Sequence, residues 1–209
     1  MFEIWTLELG IYNDVMEITT ELIKLLRDET GVSIMQCKKA LEASHGDMEK
    51  AKVILRKQSS AAATKKADRA LGSGIAAAYT HAGGSVVGAV VLACETDFVS
   101  RNEEFSKLAY SIAMHVAAMD PVWISRKDVS EEDTKAARSV FEEQVAKLPE
   151  AARGKALEGK LESFVGERVL LEQSFVKDPS VTVRELIEQA IQKFGEKIEV
   201  VRFDRLSVK

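Results

Sequence analysis

The stretch Val86–Asn102, VVGAVVLACETDFVSRN, decides how this chain folds. Its first nine residues are apolar almost without a break, rich in β-branched Val and shorter than an ordinary helix, so they read as a strand buried on both faces. Just upstream, His81-Ala82-Gly83-Gly84-Ser85 reads as a hairpin turn, because glycine supplies the positive φ that such turns need. The run opened by Gly72-Ser73-Gly74 and ending near Tyr79-Thr80 is then the antiparallel partner. Downstream, Asn102 caps a helix reaching about Met119, with Phe105, Leu108, Ile112, Val116 and Met119 on one face. His115, at the edge of that face, reads as a core histidine. Between strand and helix sits Asp97-Phe98, an anion beside a large ring. Taken alone, the pair is a local turn acceptor next to a ring tucked under the helix.

Composition narrows the function classes. At 46% hydrophobic and 30% charged, the 209 residues form a globular sequence with room for one or two domains, not a disordered one. A formal net charge of −4 argues against nucleic-acid binding through bulk charge. No run approaches the ~18 apolar residues of a membrane helix. Cys37 and Cys94 are too few for a disulfide framework and suit a reducing, cytoplasmic compartment. His45, His81 and His115 are not paired with a cysteine at metal-ligand spacing, and neither glycine cluster matches a phosphate-binding loop. No cofactor, metal or nucleotide is expected on the chain itself.

Three short helices are expected from Met16 to about Lys57. Thr19 or Thr20 caps the first, with Leu22, Ile23, Leu25 and Leu26 inward and Gly31 as its stop. Ser33 caps the second, with Ile34, Cys37, Ala40 and Leu41 inward. Gly46-Asp47 repeats the stop and start before a third carrying Met48, Ala51, Ile54 and Leu55. Ile34-Met35, at the mouth of the second helix and followed by Cys37-Lys38-Lys39, has two readings. Either Ile34 is core and Met35 an incidental exposed residue, or the pair is an apolar knob for a partner, with Arg27 and Lys38 as its polar rim. Met1–Val15 lacks Lys and Arg and fits neither a secretory nor a mitochondrial leader. It reads as residues added upstream of the folded pattern or as a short element packed on it, with no role assigned.

Gln58–Arg69 shows no apolar face and reads as a partly helical connector, residues 58–71. Its Lys65, Lys66 and Arg69 read as part of a solvated tether rather than a phosphate site. Residues 130–166 hold two charge-rich helices broken at Pro149-Glu150, with thin seams of Ala137, Phe141, Val145 and Leu148, then Leu157, Leu161 and Phe164. They form an antiparallel helical hairpin or else cover the sheet. Thr182-Val183-Arg184-Glu185 is a capping box for a helix ended by Gly195, and Glu196–Val208 closes as a strand whose uneven alternation leaves room for a bulge. The expected fold is α+β. A three-helix module (16–57) precedes a core (72–209) with a three-stranded antiparallel sheet from about 74–80, 86–94 and 197–206, helices on one side of it.

Two motifs carry a family resemblance. Thr30–Leu41, TGVSIMQCKKAL, is similar to the first signature of bacterial elongation factor Ts, and Glu95–Asn102, ETDFVSRN, to its second. Ile112–Val129, Glu158–Phe164 and Leu170–Asp178 extend the likeness, in order, from Met16 essentially to the C-terminus. Departures fall at Gln36, where the family usually has Asp, and at Val91 and Ala93, which replace polar residues. The resemblance implies guanine-nucleotide exchange on the translational GTPase elongation factor Tu, without covalent chemistry. It implies that Thr96, Asp97, Phe98 and Val99 dislocate Mg²⁺ from the partner, while Arg27, Ile34, Met35 and Lys38 grip its GTPase domain. The Mg²⁺ and GDP would be the partner's. It further implies a ubiquitin-associated-like N-terminal module and a protruding coiled-coil hairpin. Long members of the family carry two related core subdomains where this chain has room for one, so a homodimer in a two-plus-two complex is expected. The rival readings are a ubiquitin-associated-like binding module without exchange activity, and an enzyme pairing Cys94 with His81 or His115, against which the apolar strand around Cys94 favours an inert thiol.

Overall fold

The computed structural model describes residues 18–208, so the readings of Met1–Val15 and of Met16 lie outside the described residues. The chain divides between Lys57 and Gln58 into two compact units.

In the first unit, Thr19 caps α1 (Thr20–Thr30) by accepting from the Leu22 amide at 3.2 Å, and Gly31 ends it at φ 67°. Ser33 caps α2 (Ile34–Ala43), accepting from the Gln36 amide and donating to Gln36 Oε1 at 2.9 Å. Gln36 thus takes part in the cap through both its amide and its side chain. Leu26, Val32, Cys37, Ala40 and Leu41 are buried with Ala51 and Leu55 of α3 (Met48–Lys66). Two residues expected inward are not. Leu25 is exposed because it sits about 100° round the helix from Leu26. Ile34 is exposed because it opens α2, where Val32 closes the core instead.

The connector, read as partly helical, continues α3 as far as Lys66. Its alanine-rich sequence, Ala61 to Ala63, contains no helix breaker. Within the second unit its buried Ser59 donates to Gln192, and Ala63 packs against the core.

The sheet of the second unit begins with the hairpin of β1 (Ser73–His81) and β2 (Val86–Cys94), turned through Ala82, Gly83 and Gly84, all at positive φ. A short turn of helix, α4 (Asp97–Ser100), leads to Asn102, whose side chain caps α5 (Glu103–Met119). The helical hairpin is α6 (Glu131–Val145) and α7 (Glu150–Gly166), with Val145 and Leu161 buried and Phe141 edge-on to Phe164 at 5.9 Å. Next comes a two-stranded sheet of β3 (Ser174–Phe175) and β4 (Asp178–Thr182), too short to show any alternation in sequence. The capping box at Thr182 starts α8 (Val183–Phe194), Gly195 ends it at φ 75°, and β5 (Ile198–Ser207) closes the chain.

The main sheet is antiparallel in the order β1-β2-β5. The β2–β5 register slips between Val91 and Leu92, leaving Val201 as the extra residue of a bulge. Alternation sends Ile75, Ala77, Val90, Leu92, Cys94, Ile198 and Val200 to one face, where α5 lays down Phe105, Ile112 and Val116. Helix and strand come so close that a Cβ on Gly88 would stand 2.2 Å from the Ala113 carbonyl oxygen. The other face of β2 is not buried as its sequence suggests. Val91 is exposed, Val87 and Ala89 are half-buried, and Ala76 and Ala78 of β1 lie open beside them. An apolar run alone does not report which of its faces is covered.

His115 is a core residue. It is fully buried, its Nδ1 accepts from the Val176 amide at 3.2 Å, and its Nε2 faces Gln173 Oε1 at 2.9 Å. Accepting at Nδ1 places the single proton on Nε2 and makes the ring neutral. Burial pushes its pKa below the ordinary histidine value. Among the described residues no helix is long and apolar enough to cross a membrane.

Candidate functional site

The end of β2 carries the site. Cys94 is the last residue of the strand, paired with Ile198, and beyond it the chain turns sharply into α4. Val99 is buried beneath that turn, so the side chain two positions from Asp97 anchors the segment instead of meeting a partner. Phe98 points the opposite way and is 82% exposed, the most exposed large apolar side chain among the described residues. Leaving an aromatic ring in water forgoes about 1.5–3 kcal/mol of burial energy. The ring is not tucked under the helix, because Val99 fills that position.

Asp97 is also exposed and pairs with Arg101 at 3.1 Å on the outer surface of the turn. Solvent weakens such a pair, so the carboxylate is readily given up to a competing donor. Thr96 behaves differently. Its hydroxyl does not cap α4 but donates to the Glu196 carboxylate, which also accepts from the amides of Glu95 at 3.1 Å and Thr96 at 3.0 Å. Glu95 returns the gesture, accepting from the Lys197 amide and from Arg69 at 3.2 Å. The Lys197 amide first, then Arg69, holds the Glu95 carboxyl below the usual carboxylate range. On the other flank, the Ser73 and Ser100 hydroxyls meet at 2.9 Å, and the Gly72 amide donates to the Cys94 carbonyl at 3.1 Å. A Cβ at Gly72 would come within 2.8 Å of the Glu95 carbonyl oxygen, so only glycine lets the two segments lie this close. Of the four residues assigned to the segment, Asp97 and Phe98 face outward, Thr96 is a fastening and Val99 a footing.

The nucleophile reading fails on geometry. Cys94 is fully buried, its thiol donates to the Thr96 carbonyl at 3.2 Å, and burial, then the nearby Glu196 charge, pushes its pKa up. His81 lies at the far end of the hairpin, opposite Val86, while Cys94 pairs with Ser73. His115 is committed to Gln173 and Val176. Among the described residues no cluster of His, Cys, Asp or Glu is arranged to hold a metal.

In the first unit, Arg27, Ile34, Met35 and Lys38 come together, with Ser33, Lys39 and Glu42, around a shallow depression of 650 Å³. Ile34 is 55% and Met35 67% exposed, so both belong to the surface and neither to the core. Lys38 reaches Glu42 at 3.8 Å, an exposed pair that leaves the ammonium accessible.

Sequence reasoning gives no role to Glu196, and places Glu95 only at the head of the second signature. Arg69, taken for part of a solvated tether, is held by Glu95. The one local signal was Gly195, whose left-handed conformation aims the next residue back toward β2.

The elongation factor Ts family profile matches residues 61–209. Elongation factor Ts of Thermotoga neapolitana is 46% identical over 193 residues, which is 92% of this chain and 98% of that protein. Its counterpart in Thermosipho melanesiensis is 47% identical over 193 residues, 91% and 98% of the two chains. That of Herpetosiphon aurantiacus is 44% identical over 195 residues, 92% and 98%. The family profile covers the exposed turn after β2, the relatives align over 91–92% of the chain, and the chain belongs to the elongation factor Ts family.

Proposed function

We propose that the protein is the guanine-nucleotide exchange factor for elongation factor Tu, acting in the cytoplasm during translation elongation. One observation carries the reading: Phe98 stands 82% exposed at the end of a turn fastened on both flanks. An exchange factor binds the nucleotide-free GTPase more tightly than the GDP form, and by reciprocity weakens GDP by the same factor. A ring that finds a pocket only after the partner's helices part supplies that differential affinity, because its burial energy is gained in one partner state and not in the other. Asp97 then competes for donors around the partner's Mg²⁺, and loss of the ion loosens the phosphates. No bond is made or broken by this chain, and the nucleotide and metal belong to the partner.

Arg27, Ile34, Met35 and Lys38 supply a second contact, which holds the GTPase domain by apolar burial with a cationic rim. The open face of the main sheet, with Ala76, Ala78, Ala89 and Val91, supports the two-plus-two assembly. A second copy of the chain would cover those small apolar residues and bring the other contact surface.

The test is release of fluorescent GDP from elongation factor Tu. The wild-type protein is expected to accelerate it, and Phe98→Ala and Asp97→Ala each to lose part of that acceleration. A double variant as fast as wild type refutes the wedge. Light scattering that finds only monomer at micromolar concentration, alone and with partner, refutes the assembly.

A further inference from the structure

Two carboxylates cross between the end of β2 and the start of β5 in opposite directions. Glu196 accepts from the Glu95 amide, across 101 positions of sequence, and from the Thr96 amide and hydroxyl, across 100. Glu95 accepts from the Lys197 amide and from Arg69. The arrangement has the logic of a capping box, each partner's side chain serving the other's backbone, but it joins two distant segments instead of one helix turn. It also begins where the sheet stops. The last β2–β5 pair is Cys94–Ile198, so the residues fastened by the clasp lie just outside the ladder. The clasp therefore adds bonds beyond the ladder, on the turn that leads to Phe98.

We propose that Glu196 is a positioning residue for nucleotide exchange, holding the Thr96–Phe98 turn in the pose that presents the ring. This rests on the wedge reading of Phe98. Without the carboxylate, the Glu95 and Thr96 amides and the Thr96 hydroxyl turn to water and the segment pivots at Cys94. Charge-assisted bonds of this kind are the stronger ones, and a wedge acts only if it is stiff. The ring of a loosened tip can still touch the partner, so the loss falls on the exchange step and not on initial binding.

The experiment is a double-mutant cycle read by fluorescent-GDP release from elongation factor Tu. Glu196→Ala is expected to lower the maximal release rate about tenfold, and to leave the half-saturating concentration within about twofold. Combined with Phe98→Ala it should be no slower than Phe98→Ala alone, because both changes act through one ring. Hydrogen exchange of Glu196→Ala should show faster exchange at the Glu95 and Thr96 amides, with the Ile112 and Val116 amides of α5 unchanged. Thr96→Val removes one donor of the clasp, should cost about threefold in rate, and carries the same cycle if Glu196→Ala does not fold. A wild-type rate in the clasp variants beside a slow Phe98→Ala overturns the positioning role and leaves the wedge standing. So does an additive double variant, or a loss confined to half-saturation. A wild-type rate in Phe98→Ala overturns the wedge, and the clasp proposal with it.

Discussion

Two apolar projections stand out from this chain, and they are built to opposite specifications. Phe98 is a single stiff ring on a four-residue helix, with Val99 buried beneath it, Ser100 tied to Ser73 and the preceding residues clasped by Glu196. Ile34 and Met35 open a helix fastened at its start by the Ser33–Gln36 cap, with both side chains exposed, and Met35 adds an unbranched, polarizable side chain among lysines. A stiff projection can impose a shape on what it meets, whereas an adaptable one conforms to it. On the proposed function, that difference gives the partner's rearrangement to the second unit and the grip to the first.

The heaviest blow to this contrast falls on the platform under the ring. Gly88→Ala drives a Cβ to 2.2 Å from the Ala113 carbonyl oxygen and 2.7 Å from the Ala117 amide, both backbone atoms that cannot step aside. A loss of about 3 kcal/mol is expected, visible as a lower unfolding midpoint in urea, with exchange activity lost at temperatures the wild type survives. Next, Phe98→Ala should slow maximal GDP release by about tenfold or more, with little change in half-saturation. The double change Ile34→Ala/Met35→Ala should do the reverse, raising the half-saturating concentration about tenfold at an unchanged maximal rate. Titrating each variant against elongation factor Tu separates the two. A drop in maximal rate from the Ile34/Met35 variant would erase the division of labour.

A subtler probe is pH. His115 is buried neutral in the second unit, with its pKa depressed by burial, so the unfolded chain takes up its proton before the folded one does. Its contribution is complete above the unfolded value of about 6.5, and is lost as pH falls through the lower folded value. Urea midpoints measured at neutral and at acid pH should show the decline, and His115→Gln should flatten it. The smallest expected effect is Ser33→Ala, which removes a cap worth about 1 kcal/mol. It should shift half-saturation slightly through the first turn of α2, readable in the same titration.

How much of this was legible in the sequence follows the range of the interactions concerned. Caps at Thr19, Ser33, Asn102 and Thr182 and stops at Gly31 and Gly195 act within four or five residues, so they appear in the sequence where they appear in the structure. The hairpin at Gly83-Gly84 and the strand pairing follow for the same reason. The exposed pair Ile34–Met35 was visible as an anomaly but not resolvable, since helical spacing allows Ile34 on the buried stripe and only the position of Val32 decides otherwise. The outward direction of Phe98 depends on Val99 taking the inner position, a competition between neighbours that spacing cannot settle. The clasp was out of reach, because no local pattern links Glu95 to a carboxylate 101 positions away.

That separation has a consequence in time. A chain made from its N-terminus has Phe98 long before it has Glu196 and Lys197, and contacts so far apart in sequence are among the last to form. A product that stops at Gly195 would carry the ring, the strand before it and the proposed gripping surface of the first unit, yet lack the Glu196 and Lys197 bonds to the turn. On the proposed function, such a fragment is expected to bind the partner GTPase without accelerating GDP release. If the clasp positions the ring as proposed, competence for exchange waits on the segment that follows Gly195.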